Sequence, residues 1–150
     1  MERPPSSVAK VSGQAMTQQP RPRVLVIDDH VVGLRALARL LEAEGFEVLT
    51  AASGTQALLQ MQNSPPPRFV LTDLRLPDLD GLELAYHARR LEPPPWVALI
   101  TGFAPEGNDE DHARWGLDFV FTKPLDMTNL IKRMRQVLGV DSIRGSRDLA

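Results

Sequence analysis

Five short apolar runs alternate along the chain with segments of helical apolar spacing, and this alternation limits the fold more than any other feature. The runs lie at residues 23–27, 47–51, 69–72, 96–101 and 118–122. Strand-like runs that alternate with helical patterns are typical of a parallel sheet covered by helices on both faces. The sequence therefore predicts a single α/β domain.

The segments between the runs carry start and stop signals for helices. Apolar residues recur at helical spacing over 31–44, and Gly45 supplies a left-handed stop. Ser53 is expected to cap a second helix, which the prolines at 65–67 must end because proline lacks an N–H and clashes with the preceding turn. Three further helices are predicted at about 82–91, at 109–115, and from 126 or 128 to a C-terminal signal at Gly139.

The two ends of the chain differ from its middle in composition and charge. Residues 1–22 are rich in Pro and Gln and lack apolar periodicity, so they are predicted to be a disordered basic tail. The predicted domain covers 23–139, and 140–150 form a short C-terminal tail. The net charge is −2, with +3 from residues 1–23 and zero from 141–150, which leaves −5 for residues 24–140.

Composition excludes several classes of function. An acidic folded part disfavours direct binding of nucleic acid. The chain has no cysteine, which excludes disulfides, thiolate metal sites and cysteine nucleophiles. No apolar run approaches membrane-spanning length, and no secretory signal opens the sequence, so we expect a cytoplasmic protein without membrane contact.

Polar side chains stand at the ends of four of the apolar runs. The pair Asp28 and Asp29 follows the first run, Asp73 closes the third, Thr101 ends the fourth, and Lys123 follows the fifth. The carboxyl ends of the strands of an open parallel sheet share one edge, so these side chains are expected to converge there. That edge is where α/β proteins bind ligands.

Three carboxylates at one edge need a counter-cation. At about 4 Å each pair would cost roughly 4 kcal/mol at an effective dielectric near 20, and Lys123 supplies only one positive charge. Mg²⁺ suits the remaining negative charge, because it takes oxygen ligands and is typically held by one or two carboxylates plus a phosphate. The pattern therefore indicates a site for a phosphoryl group.

These motifs resemble the receiver domain of bacterial two-component response regulators, the CheY-like superfamily. The resemblance covers about Arg23 to Gly139. It depends on four motifs in order: Asp28-Asp29, Asp73 with Pro77 and Gly81, Thr101-Gly102, and Lys123-Pro124. Their key positions, Asp29, Asp73, Thr101 and Lys123, are separated by 44, 28 and 22 residues. The family implies a flavodoxin-like (βα)5 fold, a doubly wound five-stranded parallel sheet with strand order 2-1-3-4-5 and helices on both faces.

The resemblance also implies roles for the strand-end residues. Asp73 would be the phosphoacceptor, taking a phosphoryl group from a histidine kinase or a histidine phosphotransfer protein. Asp29 would bind Mg²⁺ directly, Asp28 through a metal-bound water, and Arg75 through its backbone carbonyl. Lys123 would pair with the phosphoryl oxygens and Thr101 would act in the switch. Such a domain is a signalling module, which catalyses only its own phosphorylation and dephosphorylation.

One position departs from the family pattern. Receivers carry an aromatic residue three positions before the lysine, and this chain has Val120 there, between Phe119 and Phe121. Side chains alternate along a strand, so Val120 is expected to face away from both rings. The output of the family is altered protein binding, here through the predicted fourth helix, fifth strand and fifth helix, and a phosphorylation-dependent homodimer stays open.

Three other readings of the sequence remain. One is a phosphorylation-independent scaffold or dimerisation module with the receiver fold, which the valine at position 120 favours. Another is the receiver fragment of a hybrid histidine kinase. The third is an aspartate-nucleophile phosphohydrolase of the haloacid dehalogenase type; it needs Asp-x-Asp after the first strand, so the adjacent Asp28 and Asp29 disfavour it.

Overall fold

The computed structural model describes residues 20–103 and 106–140, so most of the two predicted tails, 1–19 and 141–150, lies outside the described residues. Strands and helices alternate in the order β1 (Arg23–Ile27), α1 (Val31–Ala43), β2 (Glu47–Ala51), α2 (Gly54–Gln60), β3 (Phe69–Asp73), α3 (Gly81–Ala88), β4 (Trp96–Thr101), α4 (Asp109–Arg114), β5 (Phe119–Thr122) and α5 (Met127–Leu138). All five predicted strands and all five predicted helices are present.

The five strands form one parallel sheet in the order β2-β1-β3-β4-β5. This order confirms the predicted flavodoxin-like fold. Register aligns Val24 with Phe69 across β1 and β3, and Asp73 with Ile100 across β3 and β4. Because all strands run the same way, their carboxyl ends reach a common edge, and the residues that follow them are placed there together.

Two hydrophobic clusters cover the two faces of the sheet. The aromatic layer lies under α1 and α5, and its large buried rings are Phe46, Phe69 and Phe121. The alanine layer lies under α2 and α3, and it buries four small residues, Ala51, Ala57, Ala85 and Ala88, among leucines and valines. Successive strand residues point to opposite faces, so β1, β3 and β4 contribute to both layers.

Several helix ends agree with the local signals. Ser53 caps α2 by accepting a hydrogen bond from the N–H of Gln56 at 3.1 Å. Gly45 follows α1 with φ +100° and Gly139 ends α5 with φ +68°, which is the left-handed conformation that glycine adopts without strain. The predicted stops at these two glycines are confirmed.

Other boundaries differ from the prediction by a few residues. The third helix ends at Ala88 and not at Leu91, because the next turn is closed by tighter bonds, from the Arg90 N–H to the His87 carbonyl and from the Leu91 N–H to the Ala88 carbonyl. The second helix ends at Gln60, ahead of the prolines that were expected to stop it. In the fifth strand the first residue is Phe119 instead of Asp118.

Within residues 20–103 and 106–140, no helix has both the length and the apolar character needed to cross a bilayer.

Candidate functional site

Three carboxylates meet at the carboxyl edge of the sheet. Asp28 and Asp29 follow β1, and Asp73 is the last residue of β3. One carboxylate oxygen from each of the three lies within 4.8 Å of the others. Asp28 and Asp73 are partly buried and Asp29 is exposed, so the cluster is open to solvent on one side.

Hydrogen bonds fix the Asp28 carboxylate and the backbone at Asp73. The N–H of Asp28 donates to the Ala51 carbonyl at 3.1 Å and so continues the pairing of β1 with β2. Its Oδ1 accepts a hydrogen bond from the N–H of His30 at 2.9 Å, which orients the carboxylate at the start of α1. At the other strand the Thr72 hydroxyl donates to the Asp73 carbonyl at 2.8 Å. Two of the three residues of the cluster therefore lie at strand ends that hydrogen bonds fix.

Lys123 supplies the positive charge of the site. Its Nζ lies 3.4 Å from Oδ2 of Asp73, and its side chain is 46% exposed whereas that of Asp73 is 16% exposed. A partly exposed pair of this length contributes at most about 1 kcal/mol, because water and salt screen it. The ammonium group can therefore turn to another anion at little cost.

The donor set matches a hard divalent cation. Three carboxylates carry three negative charges against the single charge of Lys123, and every available ligand atom in the cluster is an oxygen. Mg²⁺ prefers carboxylate oxygens and retains water ligands on its open side. Asp28, Asp29 and Asp73 could thus hold Mg²⁺ with room for a further oxygen ligand.

Thr101 lies at the same edge, but its hydroxyl bonds to its own loop. The side chain is buried, and the hydroxyl donates to the Phe103 carbonyl at 2.9 Å and accepts from the Phe103 N–H at 3.3 Å. The Thr101 carbonyl accepts the N–H of Lys123 at 2.9 Å, which joins the ends of β4 and β5. Arg75 is exposed two residues after Asp73, and its backbone forms an isolated antiparallel bridge with Asp80.

The orientation of β5 agrees with the prediction for Val120. Val120 packs against the alanine layer, whereas Phe119 and Phe121 pack in the aromatic layer. The rings of Phe119 and Phe121 are stacked, with centroids 6.0 Å apart. Neither ring lies on the face that Val120 occupies, so neither replaces an aromatic residue at that position.

Sequence reasoning missed the role of two acidic residues in the loop after β3. Asp80 caps α3 and forms a capping box with Glu83, and the spacing Asp-Gly-Leu-Glu carried that signal. Asp78 binds the amino end of α2, and hydrogen bonds hold its pKa at about 2, below the ordinary value of 3.8, with the Thr55 hydroxyl as the largest cause. No local pattern indicates the bonds of Asp78 to α2, because the residues that donate them lie more than 20 positions earlier in the chain.

Comparison with known proteins agrees with this geometry. The family model for the response regulator receiver domain matches residues 24–135. A polar-differentiation response regulator DivK of Brucella ovis is 28% identical over 119 residues, covering 77% of this chain and 95% of the relative.

Solved structures agree with the same assignment. A CheY-like response regulator receiver domain protein from Methanospirillum hungatei superposes with a TM-score of 0.73 at 30% identity, over 80% of this chain and 95% of that one. A response regulator receiver protein from Pseudomonas putida gives a TM-score of 0.70 at 26% identity, over 79% and 99% of the two chains. The chain therefore belongs to the family of response regulator receiver domains.

Proposed function

We propose that residues 23–139 act as a phosphorylatable receiver in a two-component phosphorelay. Asp73 accepts a phosphoryl group from a histidine kinase or a histidine phosphotransfer protein, and the modified protein changes its binding to other proteins. The observation that supports this most directly is the convergence of three carboxylates with Lys123, 3.4 Å from Asp73. Asp28, Asp29, Asp73 and the backbone carbonyl of Arg75 are the proposed Mg²⁺ ligands.

Phosphoryl transfer needs a positioned nucleophile and neutralised charge. A carboxylate oxygen of Asp73 attacks phosphorus, the bond from phosphorus to the donor nitrogen breaks, and its electron pair stays on the donor imidazole. Bound Mg²⁺ would offset the negative charge on the phosphoryl oxygens. Lys123, held only weakly by Asp73, turns to the same oxygens, while the bonded end of β3 fixes the direction of attack.

The phosphorylated Asp73 is expected to attract the hydroxyl of Thr101. A phosphoryl group adds about −1.5 to −2 charges and strong acceptor oxygens. The Thr101 hydroxyl can donate to them only by giving up its bond to the Phe103 carbonyl, so the β4–α4 loop must move with it. With valine at position 120, this movement has no aromatic partner on that face of β5.

The proposed output surface consists of α4, β5 and α5. A groove of about 490 Å³ runs between these elements, and it mixes charged side chains such as Asp109 and Arg133 with the partly buried ring of Phe119. Such a mixed surface suits a protein partner or a second phosphorylated copy better than a nucleic acid. The proposed place of action is the cytoplasm.

A phosphorylation-independent scaffold is the second candidate. The observation that favours it is the orientation of Val120, because the face of β5 that would carry the switching ring holds a small aliphatic side chain. In that case the groove along β5 would bind its partner whether or not Asp73 is modified. A receiver fragment of a hybrid kinase would share the phosphoacceptor chemistry and not the scaffold behaviour.

Intact-mass spectrometry after incubation with acetyl phosphate tests the proposal. We expect one phosphoryl adduct on the wild-type protein with Mg²⁺ and none after addition of EDTA. Asp73→Asn should remove the adduct, because the amide is a poor nucleophile. Asp80→Asn is the matched control: it makes the same change in the loop after β3, and asparagine also caps helices, so labelling should persist.

Two results would count against the proposal. An adduct of equal yield on Asp73→Asn would refute the site. If no adduct forms on the wild type, binding of beryllofluoride with Mg²⁺ should be measured, since it does not depend on donor chemistry or on hydrolysis. Failure to bind there as well would favour the scaffold.

A further inference from the structure

The loop that follows the proposed phosphoacceptor is attached to a different helix from the one it enters. Residues 74–80 connect β3 to α3, yet the carboxylate of Asp78 bonds to the first turn of α2. Loops at the surface are usually mobile, and function tends to require that a rigid element fix them. The bonds from Asp78 to α2 give this loop a fixed point that its connection to β3 and α3 alone does not provide.

Asp78 accepts three hydrogen bonds from two residues of α2. Its Oδ1 accepts the N–H of Gly54 at 2.8 Å, and its Oδ2 accepts the N–H of Thr55 at 2.9 Å and the Thr55 hydroxyl at 2.5 Å. Bonds from several donors to a carboxylate favour its charged form, which agrees with the lowered pKa of Asp78. The two oxygens together fix the orientation of the side chain as well as its position.

Close packing on both sides of Asp78 also restricts the position of the loop. A Cβ at position 54 would lie 2.6 Å from the Leu79 side chain, so α2 and the loop touch directly beside Asp78. A Cβ at position 81 would lie 2.7 Å from the Asp73 carbonyl oxygen, so the backbone at Gly81 lies close to the end of β3 and only glycine fits there. The N–H of Gly81 also donates to the Leu74 carbonyl at 2.7 Å, which closes the loop at its base.

The proposed metal ligand Arg75 lies inside this closed loop. Its backbone pairs with Asp80, two residues beyond Asp78, so displacing Asp78 from α2 would displace the segment that carries the Arg75 carbonyl. The Asp78 carboxylate itself is bonded to α2 and belongs to no part of the carboxylate cluster. Its influence on the site must pass through the backbone.

We infer that Asp78 is a positioning residue for the Mg²⁺ site: by bonding to Gly54 and Thr55 it holds the 74–80 loop so that the Arg75 carbonyl can complete the ligand set. The inference rests on the proposed function, since it assumes that the cluster binds Mg²⁺. Partners that orient metal ligands typically change metal affinity by 10–100-fold when they are removed. Because Asp78 acts through the chain and not on a ligand side chain, we place its effect at the lower end.

Titration calorimetry with Mg²⁺ alone, on the full chain, tests this inference. Asp78→Ala should weaken Mg²⁺ binding about tenfold relative to wild type. Asp78→Asn keeps one carbonyl oxygen as an acceptor and should recover part of that loss. Ser53→Ala is the control: it removes a hydrogen bond from the same end of α2 without touching the loop, so it should lower Tm and leave the Mg²⁺ Kd unchanged.

Circular dichroism decides whether each variant is folded before the titration. Should Asp78→Ala fail to fold, Thr55→Val replaces it: it removes only the hydroxyl bond to Asp78, and it should weaken Mg²⁺ binding by less than about tenfold, because the two bonds from backbone N–H groups remain. If the folded variant binds Mg²⁺ with the wild-type Kd, the inference is wrong and the proposed function stands. If wild type itself binds no Mg²⁺ at millimolar concentration, the proposed function fails and the inference fails with it.

Discussion

The aromatic layer and the alanine layer stabilise the same sheet in different ways. Helices of 13 and 12 residues cover the aromatic layer, whereas α2 and α3, which cover the alanine layer, have 7 and 8 residues. The first layer buries large rings, and the second buries small side chains that allow short helices to approach the sheet closely. The loop that follows Asp73 packs three leucines against the second layer, Leu74, Leu76 and Leu79.

The largest expected effect comes from removing a ring from the aromatic layer. Phe69 is fully buried and stacks on Phe119 with centroids 6.1 Å apart. Phe69→Ala should lower the free energy of unfolding by about 3–5 kcal/mol, because it removes apolar contacts and leaves a cavity. Urea denaturation measures the change. Phe103→Ala makes the same substitution at a ring that is 89% exposed, and it should change stability by less than about 0.5 kcal/mol. Equal losses in the two variants would show that burial of Phe69 in the aromatic layer is not the source of the effect.

A smaller effect is expected from enlarging a side chain in the alanine layer. Ala85 is fully buried on α3 against the sheet. Ala85→Leu should lower the free energy of unfolding by about 1–3 kcal/mol, because a close-packed site must shift to admit the added carbons. Ala36→Leu on the exposed side of α1 adds the same atoms without crowding and serves as the control in the same denaturation series. A neutral Ala85→Leu would mean that the alanine layer is loosely packed.

The smallest expected effect is a difference in acid stability that depends on Asp78. Its pKa is lowered from 3.8 to about 2 in the folded protein, so its contribution to stability is present above pH 4 and is lost as the pH falls toward 2. The Tm of Asp78→Asn should lie below that of wild type at neutral pH, and the gap should shrink over that window. For Ser53→Ala the gap should not change with pH in this way, since a serine does not titrate. A constant gap for Asp78→Asn would contradict the assignment of this carboxylate to α2.

Most of the fold could be predicted because its signals are local. The apolar runs at 23–27 and 47–51 coincide with β1 and β2, and the glycines at 45 and 139 end α1 and α5 through a backbone conformation that depends on one residue. The convergence of the strand-end carboxylates also followed from local placement, since parallel strands bring their carboxyl ends to one edge. Patterns within a few residues are sufficient for features of this kind.

The features that sequence reasoning missed depend on contacts between distant parts of the chain. The partners of Asp78 lie 23 and 24 residues earlier, and nothing in the Pro-Asp-Leu-Asp turn identifies them. The bond of the Thr101 hydroxyl to Phe103 has no signal in the sequence, because it depends on the backbone at residues 102 and 103. The last turn of α3 tightens after Ala88 although the helical pattern continues to Leu91. Tertiary packing settles each of these cases.

The hydrogen bond between the Lys123 N–H and the Thr101 carbonyl, at 2.9 Å, links the ends of β4 and β5 mechanically. If Thr101 moves as a whole, Lys123 must follow it or the bond must break, at a cost of about 1 kcal/mol. The ends of β4 and β5 would then move together, and they would carry the Thr101 hydroxyl and the Lys123 ammonium group with them. A partner protein that binds the end of β5 would then also change the position of Thr101, through the hydrogen bond between the two backbones.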